Sequence, residues 1–304
     1  MEVDEEICEE VPTMFGTPTG RPVVVAVDGS PSADRALAWA VREAQAERRA
    51  LRVVHVWDAS AGAFGYIPPD FEALRTLAQQ IVDDSVMVAR EQAPDLQVTG
   101  VLAHGAPTPT LLDNAQDAAV LVLGSHGKGG FAGLLLGSTS IEASAHAKVP
   151  VVVVRGERAP LWEGPVAVGL DGSELSTAAM DFAFEAASRR DEDLTVLYAW
   201  NLPNPYVPDV ITVLADESAV STQARLTMAE TLAGWREKYP DVAVTEVAVR
   251  GHPVDALVDA STRAGLVVVG SRGRGGFRGM LLGSVSQGVL RHSACPVAVV
   301  RAPE

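Results

Sequence analysis

The stretch GSRGRGGFRGMLLGS, residues Gly270 to Ser284, stands directly behind the apolar run LVVV and carries six glycines in fifteen residues. Glycine has no Cβ, so backbone written this way can approach a ligand or a neighbouring turn unusually closely. Almost the same words occur earlier, as GSHGKGGFAGLLLGS from Gly124 to Ser138. Both fit G-x2-G, nine residues, then G-S, and both run into a helical stretch, TSIEASAHA or VSQGVLRHSA. The cations are not shared: His126 and Ala132 stand where the second copy has Arg272 and Arg278. What is repeated is backbone spacing.

The repetition spreads outward from these loops. PVVVAVDGS from Pro22 answers PVAVGLDGS from Pro165, LRVVHVW from Leu51 answers LTVLYAW from Leu194, and KVPVVVVR from Lys148 answers CPVAVVR from Cys295. The offset is 143 residues near the start of each copy and 146 near its end. A period this long is a duplicated domain, not a solenoid repeat. The expected organisation is an acidic mobile tail over 1–20, a first domain over 21–156 and a second over 163–302, with GERAPLWEG as the link.

Within the first copy, strands are expected near Val23–Val27, Arg52–Val56, Gln97–Ala103, Val120–Leu123 and Val151–Val154. These runs are almost continuously apolar, as strands covered on both faces are. Helices are expected to start at Ser30 and Ser173 after strand one, and at Pro107 and Pro253 after a glycine turn. Such alternation predicts an α/β fold of two tandem doubly wound domains, each an open five-stranded parallel sheet with helices on both faces. The long proline-bearing segments after strand two, DASAGAFGYIPPDF and NLPNPYVPDVITVLADES, read as lids or partner surfaces.

The bulk composition narrows the functions available. A net charge of −15 argues against nucleic-acid binding and anionic membrane surfaces. Six of the acids fall in the first ten residues, a solvated stretch with no apolar centre and so no signal peptide. No apolar run approaches the roughly 18–20 residues that span a bilayer. Two cysteines, Cys8 and Cys295, make no disulfide framework, and the chain reads as a cytoplasmic protein without membrane insertion.

In open α/β sheets, ligands sit beyond the carboxyl ends of the strands, where strand order reverses. Two loops per copy have chemistry suited to that crevice: DGS after strand one, with Asp28 and Asp171, and the glycine loop after strand four. Exposed backbone N–H groups and a helix N-terminus together make a site for an anion. Ser138 and Ser284 read either as helix N-caps or as hydroxyl donors to phosphate, and Ser284 with Gln287 also fits a capping box. The aspartates could also serve as helix caps. The loop lacks the G-K-[ST] ending of a Walker motif, and G-x-G-x-x-G is absent after strand one. Lys128, Arg274 and Arg278 could steer a triphosphate, and a solvated surface role suits them as well. His55 and Tyr198 read as strand residues packing beneath the loop, and Trp57 and Trp200 as core or lid-base residues. His104, His146 and His292 show no metal-ligand spacing.

G-x2-G-x9-G-[ST] paired with an aspartate after strand one resembles the ATP-binding type of universal stress protein, a Rossmann-like, adenine nucleotide alpha-hydrolase-like fold. The tandem layout is similar to the two-domain members common in actinobacteria, and the resemblance covers roughly Arg21 to Arg301. It implies ATP and Mg²⁺ as cofactors. The backbone of Val56 and Ala199 would meet the adenine ring. Asp28 and Asp171 would lie near the nucleoside end or a Mg²⁺ held mainly by the phosphates. Gly124, Gly127, Gly270 and Gly273 would line the ribose and phosphate path. Gly137, Ser138 and Thr139, with Gly283, Ser284 and Val285, would hold the phosphates. The resemblance further implies that strand five joins the two copies as an intrachain pseudo-dimer, that two chains associate as a homodimer, and that an unidentified protein partner reads the bound state. The function implied is a nucleotide-dependent regulator in stress response or growth control. The alternatives are a slow ATPase or nucleotidyl-transfer enzyme, for which no general base is placed by sequence, and an interaction protein that uses no nucleotide.

Overall fold

The computed structural model describes residues 20–58, 71–128, 136–155, 163–200, 217–273 and 281–301. The acidic tail up to residue 19, most of the link, much of both proline-bearing segments, and Arg274 and Arg278 lie outside the described residues.

Among the described residues of the first half, five strands, β1 (Val23–Ala26), β2 (Leu51–Trp57), β3 (Val98–His104), β4 (Val120–Gly124) and β5 (Val151–Val154), alternate with four helices. These are α1 (Pro31–Glu47), α2 (Phe71–Gln92), α3 (Pro107–Asn114) and α4 (Ser138–His146). The second half repeats the order with β6 (Val166–Gly169), α5 (Glu174–Arg190), β7 (Leu194–Trp200), α6 (Glu217–Lys238), β8 (Val244–Arg250), α7 (Pro253–Ser261), β9 (Leu266–Gly270), α8 (Ser284–His292) and β10 (Val297–Val300).

Local chemistry sets the ends of the helices that leave strand one. Ser30 Oγ accepts from Ala33 N at the start of α1, with Pro31 in the first turn, and Ser173 Oγ accepts from Ser176 N at the start of α5. Each bond satisfies an amide that the helix cannot pair internally. Both helices stop at a residue in the left-handed region, Arg48 (φ 52°) and Asp191 (φ 55°), whose N–H turns back onto the last carbonyls.

The strand order is β3-β2-β1-β4-β5-β10-β9-β6-β7-β8. Within each half all pairings are parallel. The two five-stranded sheets join at strand five, where the resemblance placed the contact between the copies: β5 and β10 pair antiparallel, Val297 opposite Val153 and Val299 opposite Val151. A strand of four valines left as an edge would present unpaired N–H and C=O groups beside exposed apolar side chains. Pairing removes that edge, and each fully buried valine adds about 1.5–3 kcal/mol relative to exposure. Alternate residues of the seam face opposite layers. Val152, Val154, Ala298 and Val300 join the core that includes residues of α1, α2, α5 and α6. Val151, Val153, Val297 and Val299 join the core under α3, α4, α7 and α8.

Above the seam α1 meets α5. Glu43 and Arg190 pair at 2.8 Å with both side chains 2% exposed, the Arg190 guanidinium lies 5.2 Å from the Trp39 ring centroid, and Arg189 pairs with Glu47 at 2.8 Å. Burial, reinforced by the neighbouring Glu43 charge, pushes the Glu47 carboxyl above its ordinary range.

Candidate functional site

The strand order reverses between β1 and β4, and again between β6 and β9, so each half opens a crevice at the carboxyl ends of those strands. In the β1–α1 turn Gly29 sits at φ 70°, and its counterpart Gly172 at φ 74°, a region that suits glycine. Asp28 leads into that turn. Its Oδ1 accepts from Ser30 N at 3.0 Å, while Oδ2 reaches across the crevice to accept from Lys128 N at 2.7 Å. Asp171 Oδ1 accepts from the Ser173 amide at 2.9 Å and its hydroxyl at 2.6 Å. Neither aspartate is the helix N-cap, a position held by Ser30 and Ser173.

The glycines of G-x2-G have reasons that the structure makes specific. A Cβ on Gly127 would stand 2.5 Å from Asp28 Oδ2, and one on Gly273 would stand 2.4 Å from Asp171 Oδ2. Those two glycines let the carboxylates lie against the loop backbone. A Cβ on Gly124 would stand 2.7 Å from the Ser32 carbonyl, and one on Gly270 would stand 3.0 Å from that of Leu175. Here the ends of β4 and β9 come close to the first turns of α1 and α5. Packing therefore uses the same absence of side chain that a ligand would use.

At the far end of the loop the helix starts one residue earlier than an N-cap role for the serines requires. Gly137 and Gly283 are the N-caps, and Ser138 and Ser284 are the first helical residues. The capping box of Ser284 with Gln287 is not formed, since Gln287 Nε2 donates to the Leu282 carbonyl at 3.0 Å. The reason is geometric. Gly137 N donates to the Ser125 carbonyl and Gly283 N to the Ser271 carbonyl, both at 2.7 Å, which pulls each glycine back onto the strand end. A glycine cap brings no side-chain acceptor, so the first-turn amides of α4 and α8 carry no side-chain cap, unlike those of α1 and α5. Uncapped first-turn amides, with the positive end of the helix dipole behind them, suit an anion.

Two residues absent from the sequence reading hold this arrangement together. Ser140 Oγ donates to the Gly124 carbonyl at 2.7 Å, and Ser286 Oγ to that of Gly270 at 2.6 Å, so each helix is tied to the strand it follows. The available signal was the repeated serine in G-S-T-S and G-S-V-S.

In the second half these parts enclose a cavity of about 430 Å³. All seven positions singled out there, Asp171, Ala199, Gly270, Gly273, Gly283, Ser284 and Val285, line it. Arg272, Pro253 and Ala256 line it too, unanticipated from the sequence. In the first half the matching seven occupy the same elements. Asp28 and Gly127 are in contact across the crevice, Val56 is the penultimate residue of β2 and lies opposite Ala103, Gly124 ends β4, and Gly137 caps α4, which Ser138 and Thr139 begin. His55 packs under the β1–α1 turn with Nδ1 2.7 Å from the Val27 carbonyl. Trp57 and Trp200 are half-buried, Trp57 edge-on to His104 at 5.5 Å. Among the described residues no group of three or more His, Cys, Asp or Glu could hold a metal ion, and no helix is long and apolar enough to cross a membrane.

Fold and crevice together define a tandem Rossmann-like α/β protein with one arrangement of turn, glycine loop and helix start written twice. The chain belongs to the universal stress protein family, whose model matches residues 20–155 and 164–301. It is 38% identical over 289 residues to a universal stress protein of Mycobacterium tuberculosis, covering 92% of this chain and 96% of that one. To one of Mycobacterium bovis it is 41% identical over 291 residues, with the same coverage. Among solved structures it is similar to a universal stress protein from Archaeoglobus fulgidus, at a TM-score of 0.69 and 20% identity, covering 92% of this chain and 98% of that one.

Proposed function

We propose that this chain is an ATP-binding member of its family, acting in the cytoplasm as a nucleotide-dependent regulator of stress response or growth. The observation that carries the reading is the convergence of the seven positions implied by the resemblance on one cavity with an uncapped helix N-terminus. At about 430 Å³ the cavity falls within the range of small-molecule and cofactor pockets. Its apolar wall, from Leu197, Ala199 and Leu257, suits a base, and the start of α8 suits phosphates. Mg²⁺ accompanying the nucleotide would be carried mainly by the phosphates, with Asp28 and Asp171 as the carboxylates at the two crevices; it would neutralise phosphate charge there. Binding would alter a surface that a protein partner reads, by favouring one conformation of the loops over another.

Purified chain is expected to bind close to two ATP per chain by native mass spectrometry, and to hydrolyse it far more slowly than the ~10 per second typical of enzymes. Gly127→Ala combined with Gly273→Ala is expected to abolish binding, because each methyl group displaces an aspartate carboxylate from the loop. Undiminished binding by a double variant with wild-type circular dichroism would sink the site assignment. Rapid, saturable hydrolysis would favour the enzyme instead.

A further inference from the structure

We infer that the two crevices are unequal, with the second half holding the tight adenine-nucleotide site and the first half a weaker one narrowed at its nucleoside end. The inference rests on the nucleotide reading above and adds to it a ranking of the sites.

The two copies share their glycines but not their walls. Ala199 and Ala256 line the second cavity, and the first copy has Val56 and Thr110 at those places. Gly169, also a lining residue, is replaced by Ala26. Each exchange adds side-chain atoms at a place whose counterpart lines the second cavity, Val56 near the end of β2, Ala26 at the end of β1 and Thr110 in α3. A second observation locates one of them. A Cβ on Gly105, at the end of β3, would stand 2.5 Å from Thr110 Oγ1, so that space is filled. The matching point at Gly251 has nothing within 4 Å among the described residues. Three exchanges run the other way: Leu170, Ser176 and Leu197 replace Val27, Ala33 and Val54. Those leucines are only 5% and 6% exposed, so they form the floor of the cavity and leave its mouth open.

The phosphate side differs in the same sense. Arg272 lines the second cavity, whereas its counterpart His126 has Nδ1 3.0 Å from Ser125 Oγ. A guanidinium offers a fixed fork of donors matched to phosphate oxygens, which an imidazole tied to its neighbour does not. Small volume changes in a snug apolar pocket alter affinity by roughly 10- to 200-fold.

The test is ATP titration of the full chain with Mg²⁺, followed by calorimetry and native mass spectrometry. Wild type is expected to show two classes of site separated by roughly tenfold or more. Ala199→Val with Ala256→Thr, which installs the first copy's residues, is expected to weaken the tight class. Val56→Ala with Thr110→Ala is expected to tighten the weak class and leave the tight one unchanged. Both variants carry residues already accommodated by the same fold in the other half, and thermal unfolding checks that each remains folded. Two equal sites in wild type, or a tight class that responds to the first-half variant, would overturn the ranking while leaving the nucleotide reading intact. Absence of any binding would overturn that reading as well.

Discussion

At the residue scale, single atoms decide whether a side chain is a ligand or a brace. Ser286 is 2% exposed and its hydroxyl is spent on the Gly270 carbonyl, so it positions α8. Ser286→Ala is expected to lower stability by about 1 kcal/mol, read as a shift in urea midpoint at constant slope. Two carboxylates should titrate on opposite sides of their ordinary values. The hydrogen bond from Arg52 lowers Asp117, and burial raises Glu47. Between the lowered midpoint of Asp117 and its ordinary 3.8, the unfolded chain holds a proton that the folded chain has released, so stability falls as pH falls. Between 4.5 and the raised midpoint of Glu47, the folded chain holds the extra proton, so stability falls as pH rises. Carboxyl carbon shifts in an NMR titration measure both, and a Glu47 midpoint at or below 4.5 would contradict the buried setting. None of this was legible in the sequence, since Glu47 and Arg189 stand far apart in the chain and only the α1–α5 contact brings them together.

At the element scale, α1 and α5 are the same helix written twice with different charge. Position 43 is Glu and its counterpart 186 is Ala, while position 47 is Glu and its counterpart is Arg190. The contact is therefore complementary, acid from one copy and base from the other. Arg190→Ala leaves the Glu43 carboxylate buried without its partner and is expected to cost about 3–5 kcal/mol in chemical denaturation. Glu43→Gln in the same background should recover part of that loss. The strands and helix starts could be read from the sequence because apolar runs, Ser-x-x and Pro at the first turn are local signals, as Ser30, Ser173, Pro107 and Pro253 show. The start of α4 and α8 could not be placed. A serine following a glycine is an equally good cap on paper, and the choice was made by a long-range bond from Gly137 N to the Ser125 carbonyl. The glycine spacing pointed to the crevice between strands one and four, yet half of its purpose, room for Asp28 and the Ser32 carbonyl, is visible only in three dimensions.

At the scale of the molecule, continuity of the sheet across β5 and β10 has a thermodynamic signature. Two independent domains would melt separately. One sheet with shared cores and a buried ion pair should unfold as a unit, with calorimetric and van't Hoff enthalpies in agreement. Two resolved transitions would show that the seam is weaker than its burial indicates. Val299→Pro removes a backbone donor that faces β5 across that seam and is expected to split the transition.

The direction of the seam strands also fixes where the two crevices open. Since β10 runs against β5, every strand of the second half points opposite to every strand of the first, and the mouths lie on opposite borders of the sheet. On the proposed regulatory reading, a protein docking at one mouth would leave the other open. On the nucleotide reading, the chain is two-headed: it can hand its two occupancies to two different listeners, or bridge a pair of them.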